Sequence, residues 1–372
     1  MSEGAIADFT RVDAALPTLR YLHERGARTI VISHLGRPNG ARVQTLTLRP
    51  LSAALQERLA IPVAFAEDCI GTQTLEMVQR LKNGDLLLLE NVRFHAEEEA
   101  NDPTFVRELA QLGELYVNDA FGTAHRAHAS TEGVAHLLPS AAGFLMETEL
   151  LALNALTQHP EKPFVCVIGG AKVKDKVGVF TNLIERVSSF CIGGGMANTF
   201  LAAQGHNVGN SLRERDVSGA ASILDLAKRN SVAMLLPFDV IISPNVDAQR
   251  EAKVVPLHGV GDWMILDIGP QTAQRYAQVI EAAKTVVFNG PMGVYEKPAY
   301  QSGTRTIGEA IARATQNGAT SVVGGGDAAA AAYHLGFAKG MTHVSTGGGA
   351  TLEFLEGKTL PGVAALATAV PS

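Results

Sequence analysis

Basic residues in the first half of the sequence stand where apolar, strand-like segments end. They come from "SHLGRP", "ENVRFH" and "AFGTAHRAH", and from the first predicted helix: His34, Arg37, Arg93, Arg126 and Arg11. Any one of them alone is typical of a surface ion pair. Guanidinium groups bind carboxylates and phosphates through paired hydrogen bonds, and strands that end together bring such groups to one edge of a sheet. The set therefore predicts a pocket for a small polyanion.

Three more histidines occur in the same motifs, His95, His125 and His128. A metal site built on histidine would be indicated by a spacing such as HExxH or by carboxylates at supporting positions, and neither pattern is present. A structural role for His95 and His128 is the alternative.

Glycine-rich loops follow the predicted strands of the second half. They are "IGGAK", "IGGGMAN", "FNGPMG", "VGGGDAA" and "STGGGAT". In open α/β sheets ligands bind at the carboxyl ends of the strands, and glycine lets backbone N–H groups and helix N-termini face an anion. Tight strand-to-helix packing explains a single loop of this kind equally well. Five in one half favour a ligand that carries phosphate.

Two lysines and an aspartate accompany these loops. In "GGAKVKDK" the spacing predicts that Lys172 and Lys176 share one helical face, where two ammonium groups suit a chain of phosphates. A solvated basic helix face is the alternative. Asp327 in "GGGDAA" could simply favour a helix N-terminus. Phosphates in the same loop would repel it unless a cation lay between them, and Mg²⁺ binds through one or two carboxylates plus phosphate oxygens. A magnesium–nucleotide site is therefore predicted.

The elements that must position these residues alternate along the chain. Helical stretches are followed by near-continuous apolar runs such as "TIVIS", "DLLLLE", "AMLLPFDVII" and "TVVFNGP", which are typical of parallel strands buried on both faces. We predict an α/β fold of two doubly wound, parallel-sheet (Rossmann-like) domains joined by a long helix, "GFLMETELLALNALTQHP". The predicted segments are an N-terminal domain over 1–142, a connecting helix over 143–159, a C-terminal domain over 160–355, and a tail over 356–372 that docks on the N-terminal domain.

Composition bounds the class of protein. The 372 residues are 46% hydrophobic and 18% charged, as is ordinary for a globular chain, and no apolar run is long enough to span a membrane. No export signal is recognisable at the start. A net charge of −6 argues against general nucleic-acid binding, and three cysteines without a CxxC pair indicate a reducing compartment. We expect a cytoplasmic monomer without nucleic-acid or membrane partners.

An anion pocket in one domain and a magnesium–nucleotide pocket in the other are typical of a kinase whose domains close. Phosphoryl transfer depends on positioning and charge stabilisation, and closure excludes water from the reactive phosphate. The P-loop pattern GxxxxGK[ST] is absent from the sequence, and so is GxGxxG after any predicted strand. The second absence makes a dehydrogenase with the same class of sheet a remote alternative.

Taken together, these motifs resemble the phosphoglycerate kinase family. The resemblance rests on "SHLGRP", "ENVRFH", "NDAFGTAHRAHAST", "GGAKVKDK", "GGGMANTFL", "NGPMGVYE", "GGGDAA" and "STGGGATLEFLEGKTLPGV", in the family's order and spacing from about Thr10 to Val363. It implies transfer of the acyl phosphate of 1,3-bisphosphoglycerate to Mg-ADP, which yields 3-phosphoglycerate and Mg-ATP in glycolysis.

The resemblance also implies roles for single residues. Arg11 and Lys172 match the residues that accompany the transferred phosphate, Lys176 matches a ligand of the nucleotide phosphates, and Asp327 matches the magnesium ligand. Gly348 and Gly349, at the start of a helix, match a contributor at the transfer site. The positions that match phosphoglycerate ligands are Arg11, His34, Leu35, Gly36, Arg37, Arg93 and Arg126. The positions that match the nucleotide site are Gly170, Lys172, Lys176, Gly194, Leu266, Asn289, Pro291, Glu296, Gly325, Gly326, Asp327 and Ala328.

Two features depart from the family pattern. Ala328 stands where the family usually has threonine, so one hydroxyl contact to the nucleotide is not expected. Family members also open with a strand that carries an RVDFNVP-like motif, whereas the printed sequence aligns from the segment after it, so "RVD" at 11–13 belongs to the first helix. We expect the N-terminal sheet to lack that strand and two substrate ligands. A nucleotide-binding homologue or a truncated chain with impaired turnover is therefore the alternative to a working kinase.

Overall fold

The computed structural model describes residues 9–367. Within this range the chain forms two compact units, one of residues 9–150 with 359–367 and one of residues 151–358. Residues 1–8 of the predicted first domain and residues 368–372 of the predicted tail lie outside the described part.

The first unit alternates short strands with helices, as the apolar runs between polar, helix-forming stretches predict. It ends within α6, at Leu150. Its elements are α1 (Thr10–Glu24), β1 (Thr29–Val31), α2 (Arg49–Leu59), β2 (Val63–Phe65), α3 (Thr72–Gln79), β3 (Leu86–Leu88), α4 (Ala96–Ala100), α5 (Pro103–Ala110), β4 (Tyr116–Asn118), β5 (Ser140–Ala142) and α6 (Phe144–Thr157).

The central strand of the first unit is β3, which pairs in parallel with β1 on one side and β2 on the other. Its three leucines are fully buried, and successive side chains enter opposite faces. Leu87 packs in a cluster with Phe105 of α5, whereas Leu86 and Leu88 pack with Leu19 of α1. Helices therefore cover both faces of this sheet. β4 and β5 form a separate parallel pair, of which β5 was not predicted.

The second unit contains most of the remaining elements. They are β6 (Phe164–Ile168), α7 (Val177–Leu183), β7 (Ser189–Ile192), α8 (Gly194–Ala203), α9 (Ser218–Arg229), β8 (Ala233–Leu235), β9 (Asp239–Ser243), β10 (Lys253–Pro256), β11 (Met264–Ile268), α10 (Pro270–Glu281), β12 (Thr285–Asn289), α11 (Ser302–Gln316), β13 (Thr320–Val323), α12 (Gly326–His334), β14 (His343–Val344) and α13 (Gly349–Leu355).

The main sheet of the second unit has six parallel strands in the order β14-β13-β12-β6-β7-β8. Every residue of β6, β7 and β12, three of its four inner strands, is buried, as parallel strands covered on both faces require. Because all strands point the same way, the glycine loops that follow β6, β7, β12, β13 and β14 leave one edge of the sheet. The predicted doubly wound α/β fold is confirmed.

One part of the second unit was predicted wrongly. The run "AMLLPFDVII" predicts one strand, but Leu236, Pro237 and Phe238 separate β8 from β9. β9 lies at the centre of a three-stranded antiparallel sheet between β10 and β11. Proline lacks the N–H that a ladder needs, so the chain leaves the parallel sheet there.

The chain returns to the first unit after Lys358, where α14 (Pro361–Ala367) follows. The Gly362 N–H donates to the Ala124 carbonyl at 2.9 Å, and Asn118 Nδ2 donates to the Gly362 carbonyl at 3.4 Å. The division between the units falls inside α6, whereas the predicted boundaries lie at its two ends. Among residues 9–367, no helix is both long and apolar enough to cross a membrane.

Candidate functional site

The anion-binding candidates of the first unit follow its strands. β1 leads into the His34–Arg37 loop, and β3 leads into a 3₁₀ turn over Val92–Phe94 that contains Arg93. β1 and β3 are parallel neighbours, so these two segments leave the same edge of the sheet. Arg126 follows β4, and its carbonyl accepts a hydrogen bond from Thr131 Oγ1 at 2.9 Å. Arg11 is an exposed residue in the first turn of α1.

The charges of Arg93, Arg126 and Arg11 act on the ring of His34. Burial lowers the pKa of His34 to about 3, and the positive charges of Arg93, Arg126 and Arg11, with His128, lower it further. Burial is the main reason that the ring stays neutral, and the additional lowering of its pKa by three arginines shows that the cluster has excess positive charge. Burial and then Arg93 also lower the pKa of His128, whose ring is partly buried. Such a cluster stabilises an anion of several charges.

Arg93 differs from the other arginines because its contacts are internal. Its side chain is only 5% exposed, and Nε lies 3.2 Å from Glu99 Oε1. One terminal nitrogen donates to the Gly36 carbonyl at 3.0 Å. Burial lowers its pKa, and the Glu99 carboxylate opposes that shift. Arg93 thus holds the 34–37 loop, whereas Arg37 is exposed and Arg126 partly so.

Sequence analysis missed two polar residues here: Asn91 also fixes this loop, and Glu90 fixes the segment at Leu48. Asn91 Nδ2 donates to the Leu35 carbonyl at 2.8 Å and to the Leu46 carbonyl at 2.9 Å. The buried carboxylate of Glu90 accepts from the Leu48 N–H at 2.8 Å. The sequence contains a sign of this role. Glu90 ends the apolar run "DLLLLE" and Asn91 follows it, and polar residues at the end of a buried strand need hydrogen-bond partners inside the protein. Gly36, at φ +68°, supplies the turn between these anchors.

The histidines with an open role have acidic neighbours. His95 Nε2 lies 2.7 Å from Asp68 Oδ1, and His128 Nδ1 lies 3.9 Å from Glu98 Oε1. The buried Glu98 also accepts from the Ser130 N–H at 2.9 Å and from its hydroxyl at 2.6 Å. His125 Nε2 lies 3.3 Å from Arg126 Nε.

In the second unit the glycines divide into two groups. Gly169 and Gly194 pack backbone on backbone: a Cβ on Gly169 would collide with the Pro291 carbonyl, and one on Gly194 would lie 2.7 Å from the Gly170 nitrogen. At Gly170, Gly326 and Gly348 the opposite holds, because a Cβ there would meet open space. Tight packing therefore explains part of the pattern, and the open glycines leave backbone N–H groups accessible.

Lys176 connects two of these loops. Its ammonium donates to Asn289 Oδ1, and Asn289 Nδ2 donates to the Gly324 carbonyl at 2.7 Å. Burial lowers the pKa of Lys176, and the charges of Asp327 and Glu356 are among those that oppose the shift. The lysine, the amide and the glycine loop thus form one connected group.

The prediction that Lys172 and Lys176 share a helical face was wrong. Lys172 lies in a loop, residues 174–176 form a 3₁₀ turn, and α7 begins only at Val177. Glu214 explains why the segment is not helical from Lys172 onward. Its carboxylate accepts from the Val173 N–H at 2.8 Å and keeps this part of the chain in a loop. Lys172 is exposed and Lys176 partly buried.

Two helices of the second unit begin at the open glycines. Gly325, at φ +99°, precedes α12, whose first turn contains Gly326, the exposed Asp327 and the buried Ala328. Gly348 precedes α13, whose first residue is Gly349. An exposed carboxylate beside open backbone offers the hard oxygen ligand that Mg²⁺ takes together with phosphate oxygens, so Asp327 fits that ion.

The remaining predicted nucleotide positions lie around β11 and the loop after β12. Leu266 is 7% exposed and packs with Ile241 and Tyr300. Its carbonyl accepts from the Val294 N–H at 2.9 Å. Glu296 is exposed two residues later, and Pro291 is buried.

Comparison with known proteins decides the family. The phosphoglycerate kinase family model matches residues 1–358. The chain belongs to the phosphoglycerate kinase family. The phosphoglycerate kinase of Moorella thermoacetica is 52% identical over 368 residues, which cover 98% of this chain and 93% of that protein. That of Pelodictyon phaeoclathratiforme is 50% identical with the same coverage.

Solved structures of phosphoglycerate kinases share the fold. The enzyme of Coxiella burnetii gives a TM-score of 0.90 at 39% identity, and that of Pyrococcus horikoshii gives 0.83 at 35%. Each comparison covers 99% of this chain and 93% of the other. Relatives of this extent and identity favour a working phosphoglycerate kinase over the alternative of a nucleotide-binding homologue.

Proposed function

We propose that the chain transfers the acyl phosphate of 1,3-bisphosphoglycerate to ADP, with 3-phosphoglycerate and ATP as products. The observation that carries this proposal is the cationic cluster around His34 in the first unit, since a neutral ring among arginines suits a substrate with several negative charges. Family membership supplies the reaction.

The first unit is proposed to bind the phosphoglycerate. Arg37, Arg126 and His34, with the backbone of Leu35 and Gly36, contact the substrate. Arg93 is a positioning residue in this proposal, because its guanidinium is engaged by Glu99 and Gly36. Arg11 stabilises the phosphoryl group as charge develops on its oxygens.

The second unit is proposed to bind the nucleotide. Lys176, Asn289 and the N–H groups of the loops at the starts of α12 and α13 hold phosphates. Asp327 holds Mg²⁺, which neutralises phosphate charge when bound. Lys172 contacts the terminal phosphate. The adenosine contacts are proposed to come from Gly194, Leu266, Pro291 and Glu296, and the phosphate loops comprise Gly170, Gly325, Gly326, Ala328, Gly348 and Gly349.

The chemical step exchanges one phosphorus–oxygen bond for another. A β-phosphate oxygen of ADP attacks the phosphorus of the acyl phosphate, and the bond from phosphorus to the carboxyl oxygen breaks. The carboxylate leaves with the electron pair. The residues bind, orient and neutralise charge, and none of them forms a covalent intermediate.

We further propose that the enzyme acts as a monomer in the cytoplasm. The three cysteines support a reducing compartment, because each is a free thiol and each is buried.

The test removes the proposed substrate arginines one at a time. Each charge-assisted hydrogen bond contributes about 1.5–3 kcal/mol, so Arg37→Ala and Arg126→Ala should each raise the KM for 3-phosphoglycerate by about 10-fold or more, with little change in the KM for ATP. Arg80→Ala, on the surface of the same unit, is the matched control. Unchanged KM values for 3-phosphoglycerate in both variants would place the substrate elsewhere.

A further inference from the structure

A second group of polar side chains lies in the first unit, between the ends of β2 and β3. Asp68 and Cys69 follow β2, and His95 follows the 3₁₀ turn after β3. β2 and β3 are parallel neighbours, which brings the two segments together. One carboxylate oxygen, the thiol sulfur and one imidazole nitrogen all lie within 4.8 Å of one another. We call Asp68, Cys69 and His95 the donor trio.

We infer that the donor trio binds a divalent transition-metal ion of the zinc class. Thiolate, imidazole and carboxylate together form the ligand set that Zn²⁺ and Co²⁺ take, whereas Mg²⁺ takes oxygen alone. Metal–ligand bonds of about 2.0–2.3 Å place tetrahedral ligand atoms roughly 3.5 Å apart. The trio reaches that spacing by small side-chain rotations, and a water completes the fourth position.

The burial of the three residues gives the site an inner and an outer side. Cys69 is fully buried, whereas the side chains of His95 and Asp68 are 26% and 44% exposed. An ion can therefore enter past the carboxylate and imidazole and reach the thiol last. The Cys69 N–H donates to Asp68 Oδ1 at 2.7 Å, so the carboxylate is already oriented toward the thiol's residue. This order of access is typical of a site closed on one side.

The charges around the donor trio favour a cation. Glu97 and Glu108 act on His95, and Glu98 acts on Cys69. Arg42 is the positive group that acts on Asp68, and it lies 3.9 Å from the carboxylate of Glu67. The negative charges that act on the trio from outside it are therefore three carboxylates, and the positive charge is one guanidinium, which itself lies near a carboxylate.

The donor trio is separate from the proposed magnesium ligand, because Asp327 belongs to the second unit. The ion pair between His95 and Asp68 accounts for two members of the trio. The Cys69 thiol hydrogen-bonds to Asp68 and lies within 4.8 Å of the imidazole nitrogen as well, and a third donor atom so placed distinguishes this group from an ordinary surface pair.

The test uses Co²⁺ as the probe, added to the full-length protein without nucleotide under metal-free reducing conditions. Binding through the trio should produce a thiolate-to-cobalt charge-transfer absorption that saturates at one equivalent and disappears when Zn²⁺ is added. Cys69→Ser should abolish the absorption. His95→Gln and Asp68→Asn should each weaken Co²⁺ binding by more than about 10-fold. Cys191→Ala, a buried thiol of the second unit, is the matched control and should keep it.

Several outcomes would overturn the inference. One is no charge-transfer absorption at millimolar Co²⁺ in the wild-type protein. Another is an absorption that survives in Cys69→Ser or disappears in Cys191→Ala. If Cys69→Ser fails to fold, the His95→Gln variant decides alone. His95 is partly exposed, so its substitution should leave the protein folded, and circular dichroism checks the fold of the variant. Unchanged Co²⁺ affinity in a folded His95→Gln protein would exclude the trio as a site.

Discussion

Acidification should weaken the first unit through His34. The pKa of this imidazole is about 6.5 when unfolded and about 3 in the folded protein, where burial and then the neighbouring cations lower it. Between these two values the unfolded chain binds a proton that the folded chain does not, so the free energy of unfolding falls as the pH falls. The stabilisation from neutral His34 is complete above pH 6.5 and is lost progressively toward pH 3.

The magnitude follows from the same two values. A difference of about 3.5 units, at about 1.4 kcal/mol for each, sets an upper bound of about 5 kcal/mol for the whole range. Between pH 7 and pH 5 the same relation gives a loss of about 2 kcal/mol. His34→Gln keeps a polar side chain that cannot be protonated, so the variant should lose about 2 kcal/mol less than the wild-type protein over this interval.

The assay is amide hydrogen exchange of β1 and β3, which reports the opening of the first unit without the second. An NMR titration of the His34 ring measures its pKa directly. A polyanion such as 3-phosphoglycerate should raise that pKa, because it neutralises the surrounding cations. Equal pH dependence in the wild-type and His34→Gln proteins, or a ring that titrates near 6.5, would refute the reasoning.

Three further predictions concern buried polar contacts. Lys176→Ala should weaken Mg-ADP binding by about 10-fold or more in calorimetry, since a charge-assisted bond is lost; unchanged affinity would contradict the proposed nucleotide site. Asp267→Asn should lower the free energy of unfolding by about 1–3 kcal/mol in a urea titration. Burial raises the pKa of this carboxyl group to about 8, and its two oxygens accept from the N–H groups of Gly303 and Ile268, whereas an amide cannot accept on both sides; a smaller loss would mean that the site rearranges. Glu99→Gln should raise the KM for 3-phosphoglycerate more than it lowers kcat, through a loosened Arg93, and Glu99→Asp should recover part of the loss; equal values for both variants would remove that link.

The parallel sheets could be predicted from the sequence because burial on both faces leaves a local signature. The run "DLLLLE" shows it, since Leu86, Leu87 and Leu88 have to be apolar whichever face they enter. The position of the basic residues directly after strands could also be read from the local sequence. Parallel strands bring their ends to one edge, so His34 and Arg93 could be expected near each other before any distance was known.

What could not be predicted depends on contacts between distant residues. The shape of the Lys172–Lys176 loop is set by Glu214, which lies 41 positions after Val173. The internal role of Arg93 depends on the carbonyl of Gly36, 57 positions earlier. The antiparallel sheet was missed because the pairing of β9 with β10 and β11 is a property of the folded chain and leaves no mark in their local sequence. Local patterns contain no information on such partners.

The return of the chain to its first unit affects the order in which the two units can fold during synthesis on the ribosome. Residues 151–358 interrupt the unit formed by 9–150 and 359–367, so they leave the ribosome before that unit is complete. During synthesis the second unit can fold while the first still lacks α14 and the Gly362 backbone that Ala124 and Asn118 contact. A nascent chain stalled before Thr359 would therefore have one finished unit and one that still lacks the Gly362 partners of Ala124 and Asn118.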